Sequence, residues 1–542
     1  MKPADLHIRI WLLAIWLVVG GAGRAGAQVF PGRIVGTVTD SQGAVVLGAD
    51  IKLSAPAIGL ERKATSDSNG NFRFVELPLA AFDLSISKAG FKTWVEKGIT
   101  TSVGQVNEVN AILQVGDVNS MVEVTAAPPL LQIETNALGG VLGEREVSQL
   151  PIGNNDFTRL ALILPGATNN NAFATANYTI NGSRSASQAY LIDGASNTDP
   201  DNRNPGVNQG GNSATGATRL PPDAIEEVRV VAAGPADLME TTGGVMDVVL
   251  KSGTNSFHGS AYESHRDAAL DAHNFFENLG GIKKAPFIWN EFGVTAGGPL
   301  FIPRVYDGRN RTFVFGAYDG SRSKLGTTLS SRAPTDAQVQ QASALLATRG
   351  ISPNPEGLGI LNLYKPLSGN FVVNNRGSQS PNNYVLKVDQ RISDKDSLSA
   401  RYLLGSGLDQ FPEGNPGAGG GSQLEKYFGV TPARAHNFAV SDAHLFSPTM
   451  TNTIRLGYNR TIQFGNSRDK DFDPNSIGLN TGVGPADFGL PEIDVGVGPG
   501  KFVNLGSGRS PRGRTGITFQ VTDDLSFTRG LHSLKFGVNW FR

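Results

Sequence analysis

Two aspartates, Asp199 and Asp201, stand two residues apart in NTDPDNRNPG, residues 197–206. Paired carboxylates are the hard oxygen ligands a divalent cation takes. Their neighbours are Asn, Gly and Pro, turn formers whose side chains bond their own backbone, so the stretch reads as a solvated loop. Lys501 follows glycines in VGVGPGKF. A phosphate-binding loop needs a leading glycine at fixed spacing and a Ser or Thr after the lysine. Val495 and Phe502 occupy those positions, which excludes that chemistry. Histidines stand at 7, 258, 265, 273, 436, 444 and 532, none of them in an H-E-x-x-H or H-x-x-E arrangement, so a zinc hydrolase is not supported. There is no cysteine, which removes disulfides, thiol nucleophiles and thiolate metal sites. No G-x-S-x-G elbow occurs. The chain is therefore read as a non-enzyme with no catalytic residue, no metal site and no cofactor. With 47 basic and 48 acidic residues the net charge is -1, so no global field favours nucleic acid as a partner.

One stretch carries chemistry of another kind. MVEVTA, comprising Met121, Val122, Glu123, Val124, Thr125 and Ala126, is a short extended run stopped by Pro128 and Pro129. Such a segment can add a strand to a partner's sheet edge, main-chain hydrogen bonds supplying the affinity. Read alone, it is equally the last strand of a preceding module, or a linker.

The elements around it are mostly strands. Gly is abundant at 67 residues, and Phe, at 28, far outnumbers Trp and Tyr, a composition that favours turns and strands over helices. At the start, Lys2 and Arg9 precede an apolar core from Ile10 to Val19, and Ala25 and Ala27 fit an A-x-A site. This is an export signal over residues 1–27, cut before Gln28; the apolar run is too short for a transmembrane anchor. No later segment has the ~18 consecutive apolar residues a spanning helix needs. From Arg33 to about Val115 short alternating strands are separated by turns at Ser41–Gly43 and Asp67–Gly70. Phe72 and Phe74 share one face, as do Phe82, Leu84 and Ile86. The spacing predicts a β-sandwich. SDSNGN in this segment lacks the alternating carboxylates and terminal Glu of a calcium loop and reads as a plain turn.

GTVTDSQGAVVLGADIKL, TSDSNGNFRFVELP and DLSISKAGFK resemble the carboxypeptidase regulatory-like domain. That domain is an accessory sandwich and implies no peptidase activity. Further on, the pattern predicts helices near Arg145–Leu150 and Phe157–Leu164 and another after Pro221–Pro222. It predicts strands at Tyr178–Ile180, Ala189–Ile192, Val228–Val231 and Val245–Leu250. LPIGNNDFTRLALILPGA, INGSRSASQAYLIDG and AIEEVRVVAAGPADLMETTGGVMDVVLKSGTN, in that order, resemble the plug domain of TonB-dependent outer-membrane receptors. Ala232–Ala233 and Met239–Glu240 depart from the common pattern and suit an Oar-like or SusC-like branch better than siderophore receptors. In this context MVEVTA resembles the TonB box. The resemblance implies that Met121, Val122, Glu123, Val124, Thr125 and Ala126 contact a TonB-type energy-transducing protein.

After Phe257 the alternation lengthens. Tyr384, Leu386 and Val388 oppose Lys387, Asp389 and Arg391. Leu398, Ala400 and Tyr402 oppose Ser399 and Arg401, and Ile454, Leu456 and Tyr458 oppose Arg455 and Asn459. Alternation alone suits a soluble sandwich as well. Connection lengths discriminate: short ones at Ile392–Ser397, Phe446–Thr451 and Phe527–Ser533 separate long ones at Leu325–Pro381, Gly405–Ala435 and Gly465–Thr515. Short periplasmic turns and long external loops are the build of an outer-membrane barrel. Phe292, Phe301, Phe313, Phe315, Tyr402, Tyr458, Phe527 and Trp540 are candidates for its aromatic girdles. GVTAGGPLFIPRVYDGRNRTFVFGAYDG looks like the hairpin that follows the plug in Oar-like members. About nine such strands are counted where large plugged transporters use about 22, so the chain is expected to be the first part of a longer receptor.

The expected architecture is mainly β. It comprises a signal peptide (1–27), a carboxypeptidase regulatory-like sandwich (28–115) and a TonB-box-like linker (116–129). An α+β plug (130–255) and an incomplete antiparallel transmembrane barrel (256–542) follow. The implied function is uptake across the outer membrane of a glycan, peptide or other small ligand, energised from the periplasm; the external ligand itself is unknown, and outer-membrane lipid surrounds the barrel. The alternative is an Oar-like surface or adhesion protein without transport. The short exit KSGTN is predicted to separate the last plug strand, Val245–Leu250, from the first wall strand.

Overall fold

The computed structural model describes residues 32–542 apart from 119, 126–137, 151–156, 170–177, 185–186, 201–204, 208–217, 234–242, 274–277, 279–280, 282, 412–421, 497–500, 509 and 530–531. The signal read at 1–27, Ala126 and Asp201 lie outside the described residues.

The first module is a sandwich. Gly32–Asp40 pairs with Asn71–Leu77 on one side and with Val106–Glu108 and Ala111–Leu113 on the other. The facing sheet runs Leu60–Thr65, Asp50–Ala55, Ala81–Ser87, Thr93–Thr100, Met121–Thr125. Period-2 alternation puts Ile34, Phe72, Phe74, Ile51, Leu53, Phe82, Leu84 and Ile86 inside, all buried. The SDSNGN turn is tied by Asp67 Oδ1, which accepts from the backbone N–H of Asn69 at 2.8 Å and of Asn71 at 2.9 Å. At Gly36 a Cβ would fall 1.8 Å from the Val109 carbonyl oxygen, so only glycine lets the strands close there.

The second module is a five-stranded sheet in the order Leu138–Gly143, Ile225–Ala233, Val245–Leu250, Ala189–Ile192, Ala195–Ser196. The helix expected near Arg145–Leu150 is Glu144–Gln149. Phe157–Ile163 is a 3-10 helix, not an α-helix. The helix expected after Pro221–Pro222 is a single 3-10 turn, Pro222–Ala224, and the strand begins at once with Ile225. The β-branched content of IEEVRVV explains this: Ile, Val and Val favour the extended pleat. Val228, Val230, Met246, Val248 and Leu250 form the core under one face of this sheet.

The third module pairs nine strands abreast. They are His258–Asp267, Phe287–Pro299, Thr312–Ala333, the strand formed by Gly369–Gln379 with Asn382–Arg391, Asp396–Phe411, Gly429–Ser447, Met450–Ser467, Arg512–Arg529 and His532–Phe541. Pro381 interrupts the fourth, because a proline donates nothing to the ladder. Val245–Leu250 and His258–Asp267 lie in different sheets, so the exit between them does separate plug from wall.

Register makes the two faces explicit. Leu386, Tyr402, Phe438, Tyr458 and Phe519 are successive cross-strand partners. Of these, Leu386, Tyr402, Phe438 and Phe519 are exposed on the outside. In the neighbouring row Lys387, Arg401, Ala439, Gly457 and Gln520 are partners, facing the interior. A one-residue slip would exchange the rows and put Lys387 and Arg401 into lipid. Two of the proposed girdle residues are corrected by this register. Phe315 pairs with Lys387 and Phe313 with Asp389, so both point inward; Phe315 packs in the plug core.

The long connections are shorter than expected. Thr312–Ala333 and Gly369–Gln379 run as strands well into 325–381, and helices Asp336–Thr348 and Pro355–Leu363 fill most of the rest. Beyond the apolar band both strand faces are polar, so alternation fades while the backbone ladder continues. These outer segments carry their own apolar cluster, with Tyr364, Leu424, Tyr427, Leu490, Val503 and Leu505 buried together.

Candidate functional site at the plug and wall interface

The turn LIDG, Leu191–Gly194, carries the centre of the interface. Asp193 sits at φ 43°, a left-handed conformation that Asp tolerates better than most residues. Its Oδ1 accepts from Leu250 N at 3.0 Å and from Lys387 Nζ at 3.4 Å. Arg401 Nε lies 3.2 Å from Oδ2, an ion pair by distance rather than an aligned hydrogen bond. Lys387 also donates to Leu250 O at 2.9 Å, and Arg401 to Asn437 Oδ1 at 2.6 Å and to Ile192 O. Lys387, Arg401 and Asp193 are almost wholly buried. In such surroundings each charge needs its counter-charge, because neither keeps its hydration.

The contacts continue along the turn. Arg455 donates to Gly194 O at 2.8 Å, and Gly194 N donates to Asp247 Oδ1 at 3.0 Å. Asn437 donates to Ser196 O at 3.0 Å; Ser196 N donates to Gln520 Oε1 at 2.7 Å. Asp199 does not offer a free carboxylate: Thr461 donates to it at 3.0 Å and Arg514 lies 3.5 Å away. Nearer the outer face, Arg219 N donates to Asn383 Oδ1 at 2.7 Å, and its guanidinium stacks 4.9 Å over Trp289. The plug is thus held to the wall mainly by hydrogen bonds and ion pairs, contacts that exchange with water more readily than a fused apolar core would.

The sandwich sits at the end with the short turns and touches both other modules. Ala57 O accepts from Asn255 N at 2.8 Å, Gly59 O from Arg391 at 3.0 Å, and Glu76 Oε1 from Thr451 at 3.1 Å. Val103 N donates to Glu227 Oε1 of the plug at 2.6 Å. Among them lies a cavity of about 610 Å³ lined by Leu60, Arg62, Leu77, Val249, Lys251 and Leu398. Met121–Thr125 does not hang free: it pairs in parallel with Thr93–Lys97 at the sandwich edge, and Glu123 pairs with Lys97 at 3.1 Å. Met121 remains exposed. Lys501 pairs with Asp494 at 2.6 Å, away from this end.

Burial pushes the Glu227 carboxyl up to about 7, against the Val103 N–H that favours its charge, and burial likewise raises Asp247 to about 6. Both folded values lie above the unfolded ones, so the native state binds more protons. The penalty is absent below the unfolded pKa, grows as pH rises, and is complete above about 7. Glu227→Gln keeps an acceptor for Val103 N and removes the charge. It is expected to raise stability at pH 8 by about 2–3 kcal/mol and to leave pH 4 stability unchanged. Urea midpoints of wild type and variant at the two pH values check this; an unchanged midpoint at pH 8 refutes it.

Lys387, Arg401, Arg455 and Asn459 were assignable to the polar face from their alternation. Asp193, Asp247, Arg219 and Gln520 were not singled out; the only local signal was the Asp-Gly turn dipeptide at 193–194.

With this geometry in place, comparison with known proteins gives a consistent set of likenesses. Residues 249–542 match the family model of the outer membrane beta barrel domain. Residues 143–245 match that of the TonB-dependent receptor plug domain, and residues 33–114 that of the carboxypeptidase regulatory-like domain. The chain is 27% identical over 328 residues to the TonB-dependent transporter Oar of Myxococcus xanthus, a match covering 56% of this chain and 28% of that protein. Among solved structures, the outer membrane transporter YddB from Escherichia coli superposes with a TM-score of 0.48 at 11% identity, over 74% of this chain and 48% of that one. The siderophore receptor PirA from Acinetobacter baumannii gives 0.42 at 15% identity, with the same coverages. The chain spans about a quarter of the length of its curated relative and about half that of these solved chains.

Proposed function

We propose, from the premise that this chain belongs to the outer membrane beta barrel domain family and carries a TonB-dependent receptor plug, that it is a receptor of the outer membrane which takes up a glycan, peptide or other small ligand. The observation that carries the reading is the plug's seat against the inner wall, made by Asp193 with Lys387 and Arg401. Such a seat is firm at rest and yields when groups are exchanged for water. The residues 1–27 direct export and are removed. A TonB-type protein in the periplasm grips Met121–Ala126 by strand addition. Because Met121–Thr125 is already paired to the sandwich, a pull on it loads the sandwich first. The sandwich transmits the load through Val103 to Glu227 of the plug.

Membrane fractionation of the full-length protein tests the reading. The expected result is recovery in the outer-membrane fraction with mobility that changes on heating, as a closed barrel unfolds only when boiled. A freely soluble monomer overturns it in favour of a secreted adhesion-type protein. Enzymatic activity is not expected of any of the three modules.

A further inference from the structure

The wall holds polar atoms that neither the plug seat nor the ladder uses. Outward from the Asp319–Asn383 level, the inward-facing residues are set by register. Trp289 pairs with Ser323, Ser323 with Gln379, Gln379 with Asp409 and Asp409 with Thr431. One step nearer the plug, Glu291 pairs with Ser321. Directly opposed side chains on neighbouring strands have Cβ atoms about 5 Å apart. These residues therefore form one continuous patch across five strands, immediately outside the plug residue Arg219. Ser321 is 0% and Ser323 5% exposed. Yet Ser321 Oγ, Ser323 Oγ and Trp289 Nε1 are buried without a hydrogen-bond partner. An unmet buried hydroxyl is costly, so three together on one face are not explained by folding.

We infer that this patch is a subsite for a neutral, polyhydroxylated ligand, that is, a saccharide, on its way past the plug. The inference rests on the transport reading above and narrows its ligand. The chemistry is matched group by group. Serine and threonine hydroxyls both donate and accept, the Gln379 amide does the same, the indole N–H donates, and the Asp409 and Glu291 carboxylates accept. A sugar offers hydroxyls that can play either role against each of them, and its apolar face stacks on an indole. Arg219 now covers the Trp289 ring at 4.9 Å; its departure with the plug would free that ring. An anionic ligand would meet Glu291, Asp319 and Asp409 on the same wall. Of the nearby cations, Arg219 lies 4.0 Å from Glu291.

The test uses the full chain in detergent micelles, titrated calorimetrically with maltohexaose, cellohexaose, hexagalacturonate and hexalysine. Heat-modifiable mobility and thermal midpoint are recorded on the same samples. At least one neutral hexasaccharide is expected to bind. Ser321→Ala/Ser323→Ala is expected to weaken it by about tenfold or more with no fall in thermal midpoint, since hydroxyls without partners hold nothing together. An assembled protein that binds neither neutral sugar, that prefers hexagalacturonate or hexalysine, or whose double variant binds as wild type overturns the inference alone. A fall in midpoint in the double variant overturns it as well, because the hydroxyls would then be structural. A chain without heat-modifiable mobility overturns the transport reading and this inference with it.

Discussion

Asp193→Asn is expected to loosen the plug from the wall by about 3–5 kcal/mol, the cost of stranding a buried charge. Asparagine keeps the side-chain carbonyl that accepts from Leu250 N, and it tolerates the left-handed backbone at this position. What it removes is the negative charge between Lys387 and Arg401, each 3% exposed. Those cations cannot turn to water without leaving Leu250 O and Asn437 unmet. The chain has no cysteine, so a single Ala195→Cys probe, at a plug position wholly buried beside the wall, reports seat opening by its thiol labelling rate. Labelling is expected to accelerate about 10²–10³-fold in the Asp193→Asn background. Adding Lys387→Met, which withdraws one stranded charge, is expected to recover part of that. An unaccelerated rate would show that the ion pair does not hold the seat.

Why the sequence disclosed one half of this pair and not the other is a matter of range. Lys387 and Arg401 announce themselves because a charge within an alternating strand must face away from lipid, and neighbours at two-residue spacing show the alternation. Alternation could not say whether the polar face meets bulk water or a plug. That depends on Asp193, 194 residues away in sequence, and nothing local to LIDG names its partner. The same range problem misplaced Phe313 and Phe315. An aromatic near a strand end fits a lipid girdle, and only pairing with Lys387 and Asp389 shows that both face inward. Strand length was underestimated for a different reason. Thr312–Ala333 extends beyond the apolar band, where both faces are polar and periodicity carries no information, while the hydrogen-bonded ladder continues.

The distribution of contact types bears on how such a seat can move. Polar contacts dominate around Asp193, Ser196 and Asp199, whereas apolar packing is concentrated within the plug, around Val228, Met246 and Val248. A plug with its own core can shift as a unit, and its bonds to the wall can be replaced by water one at a time. The sandwich adds a second restraint at the short-turn end, since it holds the wall through Gly59 and Glu76 and the plug through Val103. Displacing it would release both.

Gly253→Val is expected to be the most damaging single change in the tether. Gly253 lies in the exit between Val245–Leu250 and the first wall strand, where the chain crosses close over the barrel backbone. A Cβ there would fall 2.6 Å from the carbonyl oxygens of both Gly298 and Val314. Neither can retreat, because Gly298 and Val314 are ladder partners in adjacent wall strands. Overpacking against fixed backbone costs about 3 kcal/mol or more, and valine's branched β-carbon deepens the clash. The tether must then lift off the wall, taking the ends of Val245–Leu250 and His258–Asp267 with it. The expected outcome is a steep fall in heat-modifiable protein in the outer-membrane fraction. Gly316→Ala serves as the control: its Cβ would have no neighbour closer than 3.8 Å, so it tests the loss of a wall glycine without the clash and should accumulate as wild type. If Gly253→Val also accumulates normally, the tether does not need its close seat, and the plug's attachment resides in the Asp193 contacts instead.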